Sequence, residues 1–396
     1  MKICCFIFLA LLLTWLPTNV ISQESSCELS TRIIPEISRV RGLELKNKVP
    51  CLEKNKDQVL EYLEESLAKR FTEDKINYES LAFRALGLLP WKYDYKNELV
   101  KLYKDQIGGY YDPAKKYFVM ASWLPLSSQE NVAAHELTHA LQDQHFNLDE
   151  MMDPRLTSDE LLARSALAEG DATLAMLEFS EKGRKISSND VSAFILSTVT
   201  GASLNKSLRN APAAIQALLL FPYNSGLRYV ADIKEKSSMK EENSANSLNN
   251  LFKNPPKTTR EVIQEDSSAF QYSKITPNCE DLSKDLLSSS NENYQVAYQD
   301  RLGEFILNIA LKNENKEKDS NFGWRDDQLC ILSAKNKENI KEEILFWIIS
   351  LESEKKSKIL SETLQSYLKK LETPNLPYKV ELNGKQVKLS ISFQAS

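Results

Sequence analysis

The order of apolar and polar residues divides the chain into predicted helices, two hairpins and a few polar gaps. Over residues 56–70, Val59, Leu60, Tyr62, Leu63 and Leu67 recur at helical spacing, which predicts a helix. Residues 77–88 and 96–104 read the same way. Residues 43–49 alternate weakly and stop at Pro50, the pattern of a strand. Residues 106–112 and 116–121 flank Asp112-Pro113 and predict a β-hairpin, with Gly108-Gly109 on its first strand. Ser127 and Glu130 have the spacing of a capping box and would open a helix over about 128–146. Ala133, Leu137, Ala140 and Leu141 share one face of it, opposite His135 and His139. Thr157 and Glu160 open a second helix, about 159–181, with Gly183 as its stop.

Residues 192–220 read as helical, with breaks near Gly201 and Pro212. Phe221 to Gly226 is rich in turn formers and leads into a helix over 227–233. Two polar stretches follow, 234–250 and 312–320. Residues 294–311 predict a helix, and 338–372 a long charged helix with an apolar patch from Ile344 to Leu351. Residues 378–382 and 386–393 alternate around Asn383-Gly384, a hairpin signal. The expected fold class is α+β, mostly helical, with a small mixed sheet beside the histidine helix. The expected organisation is a leader at 1–22, a main domain at 23–233, a polar linker at 234–250 and a helical C-terminal region at 251–396 ending in the hairpin.

Composition adds two constraints. Lys2 and the apolar run from Ile3 to Leu16, broken by Pro17, form the pattern of a secretory signal with cleavage near Ser22. No later stretch is long and apolar enough to cross a membrane, so a secreted or periplasmic protein is expected. Of six cysteines, Cys4 and Cys5 would leave with the leader. Proximity then favours disulfides Cys27–Cys51 and Cys279–Cys330 among three possible pairings. The net charge of −5 argues against a nucleic-acid partner.

The candidate chemistry is concentrated in one place. All three histidines of the chain lie in His135-Glu-Leu-Thr-His139-Ala-Leu-Gln-Asp-Gln-His145. Two histidines four apart on a helix point the same way and can hold one metal ion. Glu136 between them can take a proton from metal-bound water. A catalytic zinc needs a third protein ligand. His145 has the spacing of the metzincin pattern, but Gln142 stands where that pattern has its turn-forming glycine. Glu169 lies on the next helix among Ser165, Ala166, Ala172 and Thr173, a small face that allows close approach, and is the preferred ligand. Tyr223, Arg228, Tyr110 and Tyr111 are candidate oxyanion donors, with Tyr223 and Arg228 put first. Asp171 and Asp143 are candidates to orient a ligand imidazole.

His135-Glu-x-x-His139 followed by Ala168-Glu169-Gly-Asp171-Ala resembles the gluzincin metallopeptidases. The strings Ile107-Gly-Gly-Tyr-Tyr-Asp-Pro113, His135 to Phe146 and Phe221-Pro-Tyr-x-x-Gly226 resemble little-characterised secreted or membrane-associated bacterial members. The likeness continues more weakly at Leu302-Gly-Glu304 and Gly323-Trp324. It implies a zincin-like fold and a secreted peptidase with one zinc on His135, His139 and Glu169. Glu136 would be its general base and a peptide or protein its substrate. Zincins bind substrate along an exposed strand edge, which here points to residues 116–121. Thermolysin-like members use a further histidine, and this chain has none to spare unless His145 takes that part. The alternative is therefore a zinc-binding protein with little or no turnover, acting as a secreted interaction module.

Overall fold

The structure is a computed structural model describing residues 7–9, 26–70, 72–104, 107–121, 123–240, 244–264, 275–290, 292–312, 322–335, 341–371 and 376–394. The first half of the chain runs β1 (Ile7–Leu9), α1 (Ser26–Arg41), β2 (Cys51–Lys54), α2 (Lys56–Arg70), α3 (Glu73–Ala85), α4 (Tyr95–Lys104), β3 (Ile107–Asp112), β4 (Tyr117–Ala121), α5 (Leu126–Phe146), α6 (Leu148–Met151) and α7 (Ser158–Ser180). It continues through α8 (Ser188–Leu204), α9 (Lys206–Asn210), α10 (Ala213–Met239), α11 (Ser244–Lys253), α12 (Thr259–Gln264) and α13 (Cys279–Ser290). The end of the chain holds β5 (Gln295–Asp300), α14 (Gly303–Leu311), β6 (Trp324–Lys335), β7 (Lys341–Leu351), α15 (Glu354–Lys370), β8 (Tyr378–Asn383) and β9 (Gln386–Gln394). The fold is α+β. Apart from Ile7–Leu9, the expected leader lies outside the described residues, as does the second polar stretch beyond Lys312.

A small mixed sheet has the order β1-β3-β4-β2, with β2 parallel to β4 and the other neighbours antiparallel. The expected hairpin of β3 and β4 is present, but β4 lies between β3 and β2 and has no free edge. Strand β3 in turn lies between β1 and β4 and packs against α5. Gly109 on β3 leaves room for Val132 of α5, whose Cγ1 would lie 2.8 Å from a Cβ there. Residues 43–49 form no strand. Their backbone is bonded to a side chain instead: Lys46 and Asn47 N–H donate to Gln144 Oε1 at 2.9 and 3.1 Å. The strand lies just beyond, at Cys51–Lys54.

Helix α5 begins at Leu126, earlier than expected, with Pro125 as its cap, so Ser127 falls inside the first turn and not at the cap position. Glu130 instead pairs with Arg32 of α1 at 2.9 Å. Asn147, in the left-handed region, stops the helix. For α7 the expected cap is present, Thr157 accepting from the Glu160 N–H. The expected turn at Phe221–Gly226 is absent, and α10 continues through Pro222. Packing explains it. A Cβ at Gly170 of α7 would overlap the Gly226 carbonyl of α10, and one at Gly226 would overlap the Ala166 carbonyl. The two helices meet backbone to backbone, and that contact outweighs the cost of an interior proline. The polar stretch 234–250 contains the end of α10 and the start of α11.

The C-terminal region is built on a sheet rather than on helices. Its order is β5-β6-β7-β9-β8, all antiparallel, and β8 and β9 are the expected hairpin. Residues 341–351, expected to be helical, form the central strand β7. Leu345, Trp347 and Ile349 face the main core, while Phe346 and Ile348 join Cys279, Cys330 and Leu332 on the other face. A strand covered on both faces shows a continuous apolar run and loses its alternation. Residues 294–311 likewise divide into β5 and α14. One buried cluster runs from Val59 to Ile391 and joins the helices to this sheet. Both expected disulfides are formed, Cys27–Cys51 and Cys279–Cys330.

The start of α7 is fixed by the C-terminal region. Asp300 Oδ1 accepts from Ser158 N–H at 2.8 Å, and Asp159 Oδ1 accepts from Thr259 N–H at 2.9 Å. Beside them, Asp327 accepts from Leu302 and Gly303 N–H and from the indoles of Trp324 and Trp347, at 2.7–3.1 Å. The weaker resemblance strings therefore meet around one carboxylate. Burial pushes the Asp159 carboxyl up to about 8, against the hydrogen bonds from Thr259.

Two outcomes are expected. Gly226→Ala should lower stability by about 1–3 kcal/mol or more in denaturant unfolding, because the added methyl must separate α7 from α10. Asp159 binds a proton in the folded state that the unfolded chain releases near pH 4. Its contribution to stability is therefore lost as pH rises from about 4 through about 8. Asp159→Asn should flatten this part of the pH–stability profile; an unchanged profile would reject the assignment.

Candidate metal centre

His135 and His139 lie one turn apart on α5, and Glu169 lies near the middle of α7. The helix contact brings them together. His135 Nε2 is 3.0 Å from Glu169 Oε2 and 3.1 Å from His139 Nε2, and His139 Nε2 is 3.5 Å from Glu169 Oε2. Both imidazoles are fully buried and Glu169 is 3% exposed. Three ligands of a tetrahedral zinc, each about 2.0–2.1 Å from the metal, stand about 3.3 Å from one another. The observed triangle fits that requirement. Among the described residues it is the one group of three or more such side chains near enough to hold an ion.

The charges point the same way. Burial acts to raise the Glu169 carboxyl, but the imidazoles of His139 and His135 outweigh it and hold it at about 2. Burial takes His135 down to about 4 against the pull of Glu169. Burial acts on His139 likewise, but Glu169 and Glu136 outweigh it and its pKa rises. An ionised carboxylate and a nitrogen lone pair thus lie deep in the protein with space for one cation.

Glu136 is also fully buried, and its Oε2 accepts the Tyr111 N–H of β3 at 2.8 Å. This carboxylate therefore lies beside the edge of β3, where β1 pairs at Ile7–Tyr110 and Leu9–Ile107. Tyr223 on α10 is the expected donor that reaches the site. Its ring centroid is 6.3 Å from that of His135, and its hydroxyl is hydrogen-bonded to Glu169. Burial, with Glu169 and Glu136, pushes that hydroxyl's pKa well above its usual value, so it stays a donor.

The other candidates lie elsewhere. Arg228 is exposed, turned about 140° from Tyr223 around α10. Tyr110 stacks on Tyr62 with centroids 4.1 Å apart. The Tyr111 hydroxyl donates to Asp143 at 2.8 Å. Asp143 also takes Lys116 Nζ at 2.8 Å and touches neither ligand imidazole. His145 Nε2–H donates to the Glu44 carbonyl at 2.7 Å, so it clamps the 43–49 segment and does not join the triangle.

Two residues of the site were not anticipated. Gln142 Oε1 lies 2.9 Å from His139 Nδ1, and its amide nitrogen donates to Asp171 Oδ2 at 2.8 Å. Arg41 of α1 donates to the same Asp171 oxygen at 2.6 Å. Asp171 therefore acts on His139 through Gln142. Gln142 stands three residues after His139 on α5, a spacing that places it on the same face. Arg41 gives no local signal of its place.

Compared with known protein families, curated proteins and solved structures, this chain matches none. The geometry alone defines it as a chain with a buried His-His-Glu group able to hold a metal ion.

Glu169→Ala should weaken zinc binding by at least about 10-fold in competition with a chromogenic chelator, since one of three ligands is lost. His145→Ala should leave it unchanged. The reverse pattern would give the third ligand position to His145.

Proposed function

We propose that this protein is a secreted zinc-dependent metallopeptidase of gluzincin type, with a zincin-like arrangement of α5 against the small sheet. The observation that carries this reading is the triangle of His135, His139 and Glu169, with Glu136 on the histidine helix bonded to the backbone of β3. Zinc is the usual ion for two imidazoles and a carboxylate. Held there, it would supply Lewis-acid polarisation of water and of a carbonyl. Three protein ligands leave a fourth position open, as in catalytic rather than structural sites.

The chain's own residues supply the rest. Glu136 accepts the proton of the attacking water and returns it to the leaving amine, so the peptide C–N bond breaks without net proton loss. Tyr223, held protonated, donates a hydrogen bond to the oxyanion. With the leader removed, the side of β3 now paired with Ile7–Leu9 would be open to an extended peptide, bound by main-chain hydrogen bonds. Two disulfides support an oxidising destination. No helix among the described residues is long and apolar enough to cross a membrane.

One observation favours a second reading. His135, Glu136 and His139 are 0% exposed, as in a metal site that serves stability alone. Such a protein would bind zinc and act as an interaction module without turnover.

A peptide-library assay with and without chelator separates the two readings. Glu136→Gln should keep about one zinc per chain and lose nearly all chelator-sensitive cleavage. Zinc binding with no cleavage in the unmodified protein would leave the second reading.

A further inference from the structure

The side chain of Gln142 can take only one orientation. Its Nε2 donates to the Ala168 carbonyl at 3.1 Å and to Asp171 Oδ2 at 2.8 Å. A carbonyl and a carboxylate paired with arginine only accept. The amide NH2 must therefore face α7, which turns Oε1 toward His139 Nδ1, 2.9 Å away. That oxygen also only accepts, so Nδ1 carries the ring proton. In a neutral imidazole the lone pair is then on Nε2. Nε2 is the atom that faces His135 and Glu169.

Behind this amide stands a buried ion pair. Arg41 and Asp171 are 2% and 1% exposed, and Arg41 Nε–H donates to Asp171 Oδ2 at 2.6 Å. A guanidinium can only donate, so Asp171 Oδ2 is the acceptor in this pair. Arg41 is itself fixed from the far side. Its Nη1 donates to Asn249 Oδ1 at 3.1 Å, and its guanidinium lies 5.7 Å from the Phe252 ring centroid. Helix α1, whose Cys27 is joined to Cys51, and helix α11 thus reach the metal centre through one side chain.

We propose that Arg41 is a positioning residue of the metal centre: through Asp171 and Gln142 it fixes His139 as the Nδ1–H tautomer, with the Nε2 lone pair turned to the side that faces His135 and Glu169. This rests on the reading that the triangle binds metal. The neutral amide between charge and ring has a consequence. A carboxylate in direct contact would make the imidazole more basic. Here the Asp171 charge sits one residue away, so on the Nδ1 side the proton meets a neutral acceptor, while Glu169 lies on the Nε2 side.

The chain's histidine count makes the test clean. With three histidines, long-range 15N spectra of the uniformly labelled apo protein contain three ring systems. At alkaline pH, His139 should show a protonated Nδ1 and a bare Nε2. Gln142→Met keeps the Arg41–Asp171 pair and removes the amide. The double variant Arg41→Met/Asp171→Asn removes both charges together, so neither is left buried alone. Both should give a mixture of His139 tautomers and weaken zinc binding about 10–100-fold in chelator competition. A purely structural role would lower the melting temperature and leave the tautomer alone.

A protonated Nε2 on His139 in the unmodified protein would overturn the proposal. So would variants that keep both the tautomer and the zinc affinity. Nδ1–H in a protein that binds no zinc would support the relay while rejecting the metal reading it serves.

Discussion

No side chain fits between α7 and α10 where Gly170 meets Gly226. The site depends on that contact. Glu169 precedes Gly170, so the face of α7 that carries the carboxylate is pressed toward α5. Tyr223 lies about one turn before Gly226, so the same contact brings its hydroxyl onto Glu169. The height of Glu169 is set from the far end of α7, where Ser158 and Asp159 are bonded to Asp300 and Thr259. A helix pinned at its start and pressed at its middle cannot slide to relieve a poor ligand distance.

Burial gives this geometry its chemical force. A carboxylate and two imidazoles taken out of water have lost their hydration, and nothing apolar around them replaces it. Attraction among them keeps Glu169 ionised at about 2 even so. A divalent cation satisfies all three donors at once, and the Arg41–Asp171 pair balances its own charge without adding to theirs. The neutral amide of Gln142 joins the two sets of charges.

How far the sequence could be read follows from the range of each interaction. His135, Glu136 and His139 form a local pattern on one helix, and scarce histidine makes it stand out. Glu169 was legible through its small neighbours, although the backbone those neighbours admit most closely is α10. The terminal hairpin was marked by Asn383-Gly384, and the start of α7 by Thr157. Strand β7 was not legible, because burial on both faces erases the alternation that marks a strand. Pro222 looked like a break because the contact that overrides it lies some fifty residues earlier in the chain, at Ala166 and Gly170. Arg41 was invisible for the same reason, since its partners are Asp171 and Asn249.

The two disulfides span 24 and 51 residues, and each closes a loop inside its own end of the chain. Among the described residues no disulfide crosses from the histidine helix to the five-stranded sheet. A single backbone nick anywhere between Cys51 and Cys279 would leave two fragments that neither of these disulfides joins. What keeps such a molecule whole is its shared interior, so its resistance to a cut in this stretch rests on burial rather than on sulfur.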